Sequence, residues 1–218
     1  MPHFCHNVQQ WTHMKTPMFK RCVVACLLFW GTVVHAIEEP TYNVVEQYND
    51  FEVRVYEPYL VAEVTVPGPA QEAGNQGFRI LAAYIFGSNV SQQKIEMTAP
   101  VTQVAESEKI SMTAPVTQTP EGSGFVVQFT MPAAYTLDTL PTPVDEQVRL
   151  REVPAARYAV IRFSGLWSQG NYDRHLLKLT QGMAEQQLEA AGPPIYARYN
   201  APFVPWFLRR NEIWVPLP

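Results

Sequence analysis

A chain of 218 residues with 47% apolar and 17% charged content is long enough for one sizeable core or two small ones, and neither a disordered nor a fibrous class fits it. Its formal net charge is −4, from twenty acidic and sixteen basic residues. An acidic balance of this kind argues against nucleic acid and anionic membrane surfaces as partners.

The first 36 residues read as a secretory signal peptide. Lys15, Lys20 and Arg21 precede the thirteen-residue run "CVVACLLFWGTVV", and Val34, His35 and Ala36 supply the small-residue end before Glu38 and Glu39. Thirteen residues fall short of the roughly 20 that span a bilayer. A lipobox-like "VVAC" ends at Cys26, but no apolar stretch precedes it, and Met14 makes a more compact start than Met1. Loss of residues 1–36 would take all three cysteines (Cys5, Cys22, Cys26) and every histidine but His175. It would also remove Lys15, Lys20 and Arg21, leaving thirteen basic against twenty acidic residues, a net charge of −7. The expected product is periplasmic or secreted, has no disulfide or thiolate chemistry, and makes no stable membrane insertion.

In chain order, "YNVVEQYNDFEVRVYEPYLVAEVTV" alternates with period two and predicts two strands, or one strand bent near Pro58. "PGPAQEAGNQ" leads into a helix in which Phe78, Leu81, Ala82 and Ile85 fall at i, i+3, i+4 and i+7, with Gly87 as its stop. The phrases "KIEMTAPVTQ" (94–103) and "KISMTAPVTQ" (109–118) read as two strands of one hairpin, with Ile95, Met97, Ala99 and Ile110, Met112, Ala114 inward. Pro100 and Pro115 break the ladder there. "GFVVQFTMP", "QVRLREVP" and "ARYAVIRFSG" are further strands. A second helix runs from about Ser168 to Ala190 on the stripe Tyr172, Leu176, Leu179, Met183, and "PIYARYN" and "EIWVPL" close the chain as strands around the loop "APFVPWFLRR". The pattern is a duplicated β-α-β-β unit with hairpin connections, hence an α+β fold with a mainly antiparallel sheet and both helices against it, in one domain over 37–218.

Several segments, in order along residues 37–218, carry a resemblance: "VRVYEPYLVAEV", "AGNQGFRILAAYIFGSN", the two "MTAPVTQ" phrases, "FTMPAAYTLDTLP", "VRLREVPAARYAVIRFSG" and "ARYNAPFVPWFLRRNEIWV". Together they resemble the SOUL heme-binding protein family, and are similar to its secreted bacterial branch. The resemblance implies an eight-stranded, barrel-like sheet flanked by two helices and a non-enzymatic binder of heme or another tetrapyrrole in an apolar cleft. It points to Phe78, Arg79 and Tyr84 on the first helix, and to Phe203, Trp206, Arg209 and Arg210 on the last loop. A fold of this kind also resembles bacterial effector-binding domains for small hydrophobic or cationic ligands.

Heme is a flat apolar disc with two carboxylates, so "FVPWFLRR" offers suitable chemistry, aromatic surface plus two guanidinium groups. The plainer reading is that Phe203, Trp206 and Phe207 cap the core while Arg209 and Arg210 pair with acids. His175 is the candidate axial ligand of the iron, about 60° from the centre of the second helix's apolar stripe. Met97, Met112 and Met131 could offer thioethers but alternate as core residues do. Glu57, Glu63 and Glu212 are candidate buried acids on or beside strands. No nucleophile elbow, His/Cys metal cluster or phosphate loop stands out, which leaves binding of another hydrophobic small molecule, or a hydrolase, as the alternatives.

Overall fold

The computed structural model describes residues 37–92 and 106–218. Strand β1 (Tyr42–Gln47) turns back into β2 (Glu52–Tyr56), and β3 (Tyr59–Pro67) follows, so the first apolar stretch yields three strands. Helix α1 spans Ala70–Ile85. After it come β4 (Asn89–Val90), β5 (Val116–Glu121), β6 (Gly124–Thr130), β7 (Thr142–Pro143), β8 (Arg149–Val153) and β9 (Ala156–Phe163). Helix α2 is Gln169–Glu185, and β10 (Ile195–Arg198) and β11 (Asn211–Leu217) end the chain, with a single 3-10 turn at Trp206–Leu208 between them.

The fold is α+β and antiparallel throughout. Among the described residues the main sheet has nine strands in the order β1-β2-β9-β11-β10-β5-β6-β3-β8, one more than expected, and its end strands β1 and β8 do not pair with each other. A separate ribbon joins β4 to β7. The duplication is visible in the order: β3-β6-β5 mirrors β9-β11-β10 about the β5–β10 pair. Each repeat's leading strand has crossed over, β2 pairing with β9 and β8 with β3.

The tandem phrase does not form the expected inward strand. Its second copy becomes a strand only at Val116, and Val116–Gln118 is already paired on both sides, by β6 and β10. Before that point Ile110 and Ala114 are buried but Met112 is 44% exposed, because the backbone there is irregular and period-two alternation does not apply. The first copy lies outside the described residues.

Alternation along the strands feeds three cores. Ala159, Ile161 and Phe163 of β9 meet α2 together with Ile213, Val215, Leu179 and Met183, whereas Tyr158 and Val160 face the opposite side with Tyr56, Tyr199 and Trp214. The third core lies between α1 and β3/β6. Residues 36–218 form one compact unit that holds these clusters. The buried face of α1 is Ala73, Gly74, Gly77, Leu81, Tyr84 and Ile85, rotated from the expected stripe so that Phe78 is 37% exposed. Glycine decides this: a Cβ on Gly77 would stand 2.6 Å from Val127 Cγ2, so this is the face that can approach β6 closely.

Helix α2 ends five residues before Ala190, at a turn closed by Gln187 N–H to Ala184 O and Leu188 N–H to Met183 O. This is a Schellman end, and Gln187 holds its left-handed position at φ 57°. A side chain there costs roughly 1 kcal/mol that glycine avoids. We expect Gln187→Gly to raise the melting temperature by about 2–4 °C in a calorimetric scan.

Candidate functional site

A cleft of about 740 Å³ opens between α2, the β1–β2 turn and the segment after β9. That size is in the roughly 300–1,000 Å³ range of small-molecule sites. Its lining mixes apolar groups (Ile161, Phe163, Leu166, Trp206) with Asn49, Asp50, Asn171, Arg174, His175 and Lys178.

Asn171 organises this wall. Its amide Nδ2 donates to Leu166 O at 3.0 Å and Ser164 O at 3.3 Å, tying the segment after β9 to the first turn of α2. Gly165 makes that approach possible, since it adopts φ +117° and a Cβ on it would lie 2.8 Å from Asn171 Nδ2. The Gly165 amide donates to Trp206 O at 3.0 Å, bringing the last loop to the cleft rim.

His175 lies one turn along α2. Its Nδ1 is 2.7 Å from Asn171 O, an oxygen that can only accept, so Nδ1 carries a proton and Nε2 is the nitrogen that bears the lone pair of the neutral ring. The ring stacks on Phe163 at 4.1 Å and 11°, which fixes its plane. Lys178 pairs with Asp50 at 2.7 Å, while Arg174 has no ion-pair partner among the described residues. A fixed imidazole, an indole, the Arg174 guanidinium and a lysine paired with Asp50 form a lining that suits an amphiphilic, anionic, metal-bearing disc.

Of the residues singled out from sequence, the structure gathers His175 and Trp206 at this cleft. The others lie elsewhere. Phe78 packs on Phe129 at 5.3 Å, Arg79 is exposed, and Tyr84 is buried and donates to Pro141 O at 2.8 Å. Burial, together with nearby Tyr135 and Glu108, pushes the Tyr84 phenol up from its ordinary value. Phe203 is 87% exposed, so the last loop does not cap the core. Arg209 is absorbed by the loop itself, donating to Val204 O and Pro202 O and lying over the Trp167 ring at 4.5 Å. Arg210 is ion-paired to Glu39 and Glu212. Phe163, Asn171, Arg174 and Lys178 were missed, although a signal existed: Asn171, Arg174, His175 and Lys178 fall at i, i+3, i+4 and i+7, a polar stripe along one side of α2.

Of the three acids considered from sequence, Glu212 is fully buried on the sheet face opposite α2. Arg54 meets it with two bonds of 2.9 and 3.2 Å, Arg210 Nε donates at 2.9 Å, and Tyr199 Oη and Trp214 Nε1 donate at 2.8 Å each. Burial raises its pKa, but Arg54, Arg210 and the Trp214 bond outweigh burial and hold the carboxyl below its ordinary value. Glu63 bonds Arg151 and Gln128, and Glu57 is exposed. A second cleft of about 500 Å³ bears Glu38, Glu39, Glu57 and Glu152, the wrong charge for a ligand with carboxylates.

The chain is similar to known proteins in sequence and in fold. The chain is 28% identical over 186 residues to human "Heme-binding protein 2", covering 83% of this chain and 86% of that protein. Among solved structures, the EcmrR C-terminal domain superposes with a TM-score of 0.54 at 9% identity, over 81% of this chain and 98% of that one. A structure described as a hydrolase from Listeria innocua gives 0.50 at 9%, over 80% of this chain and 94% of that one. At such identities these two structures show the fold alone. The sequence family described as "SOUL heme-binding protein" matches residues 37–216, nearly all of the described chain, and the protein belongs to that family.

Proposed function

We propose that the protein is a non-catalytic tetrapyrrole binder and that the α2 cleft is where heme sits. His175 Nε2 would ligate the iron, Trp206 would contact the macrocycle, and Arg174 and Lys178 would meet the propionates. When bound, heme supplies a redox-active iron with a characteristic visible spectrum. The protein's part is to hold and orient it. Family membership supports the ligand class, and the observation that carries the location is the fixed orientation of His175. A ligating histidine ordinarily donates its other ring N–H to a carbonyl or carboxylate, and His175 does so to Asn171 O. This reading keeps His175 and Trp206 of the residues expected at the site and leaves out Phe78, Arg79 and Tyr84 on α1, to which the resemblance pointed.

Hemin titrated into residues 37–218, with the Soret band recorded, tests both parts. The expected result is a saturable, shifted Soret band that His175→Ala returns towards that of free hemin, with affinity lower by about tenfold or more, roughly 1.4 kcal/mol. A saturable band whose position is unchanged in His175→Ala would exclude this side chain as ligand. No saturable change in the parent protein would exclude heme.

A further inference from the structure

The loop between β10 and β11 carries an apolar surface that extends beyond the cleft rim, past the Trp206 and Leu166 that line the cleft. From Tyr199 to Leu208 it has no charged side chain. Trp206, Phe207 and Leu208 form its 3-10 turn, in which successive side chains diverge by a third of a circle, and all three are exposed, at 55%, 57% and 65%. A turn with one face on a core would bury at least one of them. Phe203, at 87%, stands three residues before Trp206, and Leu166, at 57%, follows the glycine bonded to Trp206 O. Single exposed apolar residues need no explanation, but five on two joined segments mark an interaction surface.

The outward arrangement is built in. Val204 N–H bonds Ala201 O, Leu208 N–H bonds Pro205 O, and Arg209 spends its guanidinium on the carbonyls of Pro202 and Val204. The scaffold is therefore polar and internal to the loop, while the apolar groups face out. Although the chain as a whole is acidic, the acids near the loop are mostly paired, so the local charge does not repel a phospholipid surface. Glu39 is neutralised by Arg210 and Asp50 by Lys178, Asp173 is held by Gln169 Nε2, and Arg174 beside the cleft has no ion-pair partner among the described residues.

We propose that this loop is a membrane-docking element: Phe203, Trp206, Phe207, Leu208 and Leu166 seat in the interfacial zone of a phospholipid bilayer, with the α2 cleft opening beside the contact. Indole, phenyl and leucyl groups are the side chains that favour this zone, and a few of them give reversible attachment and no span. Peripheral docking is compatible with the absence, among the described residues, of any helix long and apolar enough to cross a membrane.

The test uses residues 37–218 without hemin, so it fails or succeeds independently of the tetrapyrrole reading. Sedimentation with mixed phosphatidylcholine and phosphatidylglycerol vesicles should pull down the protein and shift its tryptophan emission to the blue. Phe207→Ser with Leu208→Ser should lower the bound fraction about tenfold, while Phe207→Trp with Leu208→Ile retains it. Both residues are more than half exposed, so the melting temperature should stay unchanged and report folding. Two results would overturn the proposal: no co-sedimentation, or binding that the serine pair leaves intact. A concentration-dependent dimer in sedimentation velocity that the serine pair abolishes, without vesicle binding, would assign the surface to a second copy of the chain.

Discussion

Glu212→Ala should lower the melting temperature by about 10 °C. The substitution leaves Arg54, only 3% exposed, with its two bonds to Glu212 gone and Glu52, Tyr56 and the Tyr42 ring beside it. It also strands the Tyr199 hydroxyl and the Trp214 N–H inside the sheet. Breaking one side of a buried ion pair costs about 3–5 kcal/mol, and a domain of this size loses about 2–4 °C per kcal/mol. Thermal scans of parent and variant check the figure. Replacing both charges, Arg54→Met with Glu212→Leu, should recover part of the loss because no buried charge is then left unpaired. The pH dependence follows from the direction of the shift. Glu212 is held below its ordinary value of 4.5, so its contribution is present above that pH and is lost as the pH falls further, through the folded-state value. Glu212→Gln should therefore flatten the acid limb of the stability profile and leave its neutral slope alone.

In hemin binding, Trp206→Ala and Arg174→Glu should fail in different ways. Trp206 is a large, half-exposed indole at the cleft rim whose carbonyl is held by the Gly165 amide, so part of the backbone ordering is provided before a ligand arrives. Removing such an anchor costs about 2 kcal/mol or more, roughly thirtyfold in affinity, and the loss should appear as faster dissociation. Arg174 is exposed at the mouth, where a charge chiefly steers encounter. Its reversal should slow association and weaken the salt dependence while changing dissociation little. Stopped-flow mixing at two ionic strengths separates the two. Equal effects of both substitutions on dissociation would contradict the roles given to these side chains.

The long, regular elements were readable because their burial pattern is written in period. On α2 the stripe Tyr172, Leu179 and Met183 is buried as spaced, with Leu176 half-buried, and the strand–helix order gave the duplication. What escaped depends on groups that hydrophobic periodicity does not register. The docking face of α1 is set by two glycines, so the apolar Phe78 was favoured over a position with no side chain. Met112 looked inward because alternation was extended across a stretch that is not a strand. Glu212 could be suspected from its strand, but its partner Arg54 lies 158 residues away, and only the β2–β9–β11 pairing unites them. At the cleft, His175 was found by its chemistry and Trp206 by its composition. Phe163 and Asp50 join them through tertiary packing that one sequence does not spell out.

The crossover of leading strands bears on how the chain reaches this state. β2, complete at residue 56, waits for β9, which begins at residue 156, and β3 takes its outer neighbour from β8 at residues 149–153. Such distant pairings must be reached before loop-closure entropy is repaid, so folding should be slow compared with a chain of local hairpins. On the ribosome, the first repeat emerges with the edges of β2 and β3 unpaired and open to strand addition by other chains. The two repeats are thus obligate partners in one cooperative unit, and cleavage between them should yield two fragments that fold only when mixed.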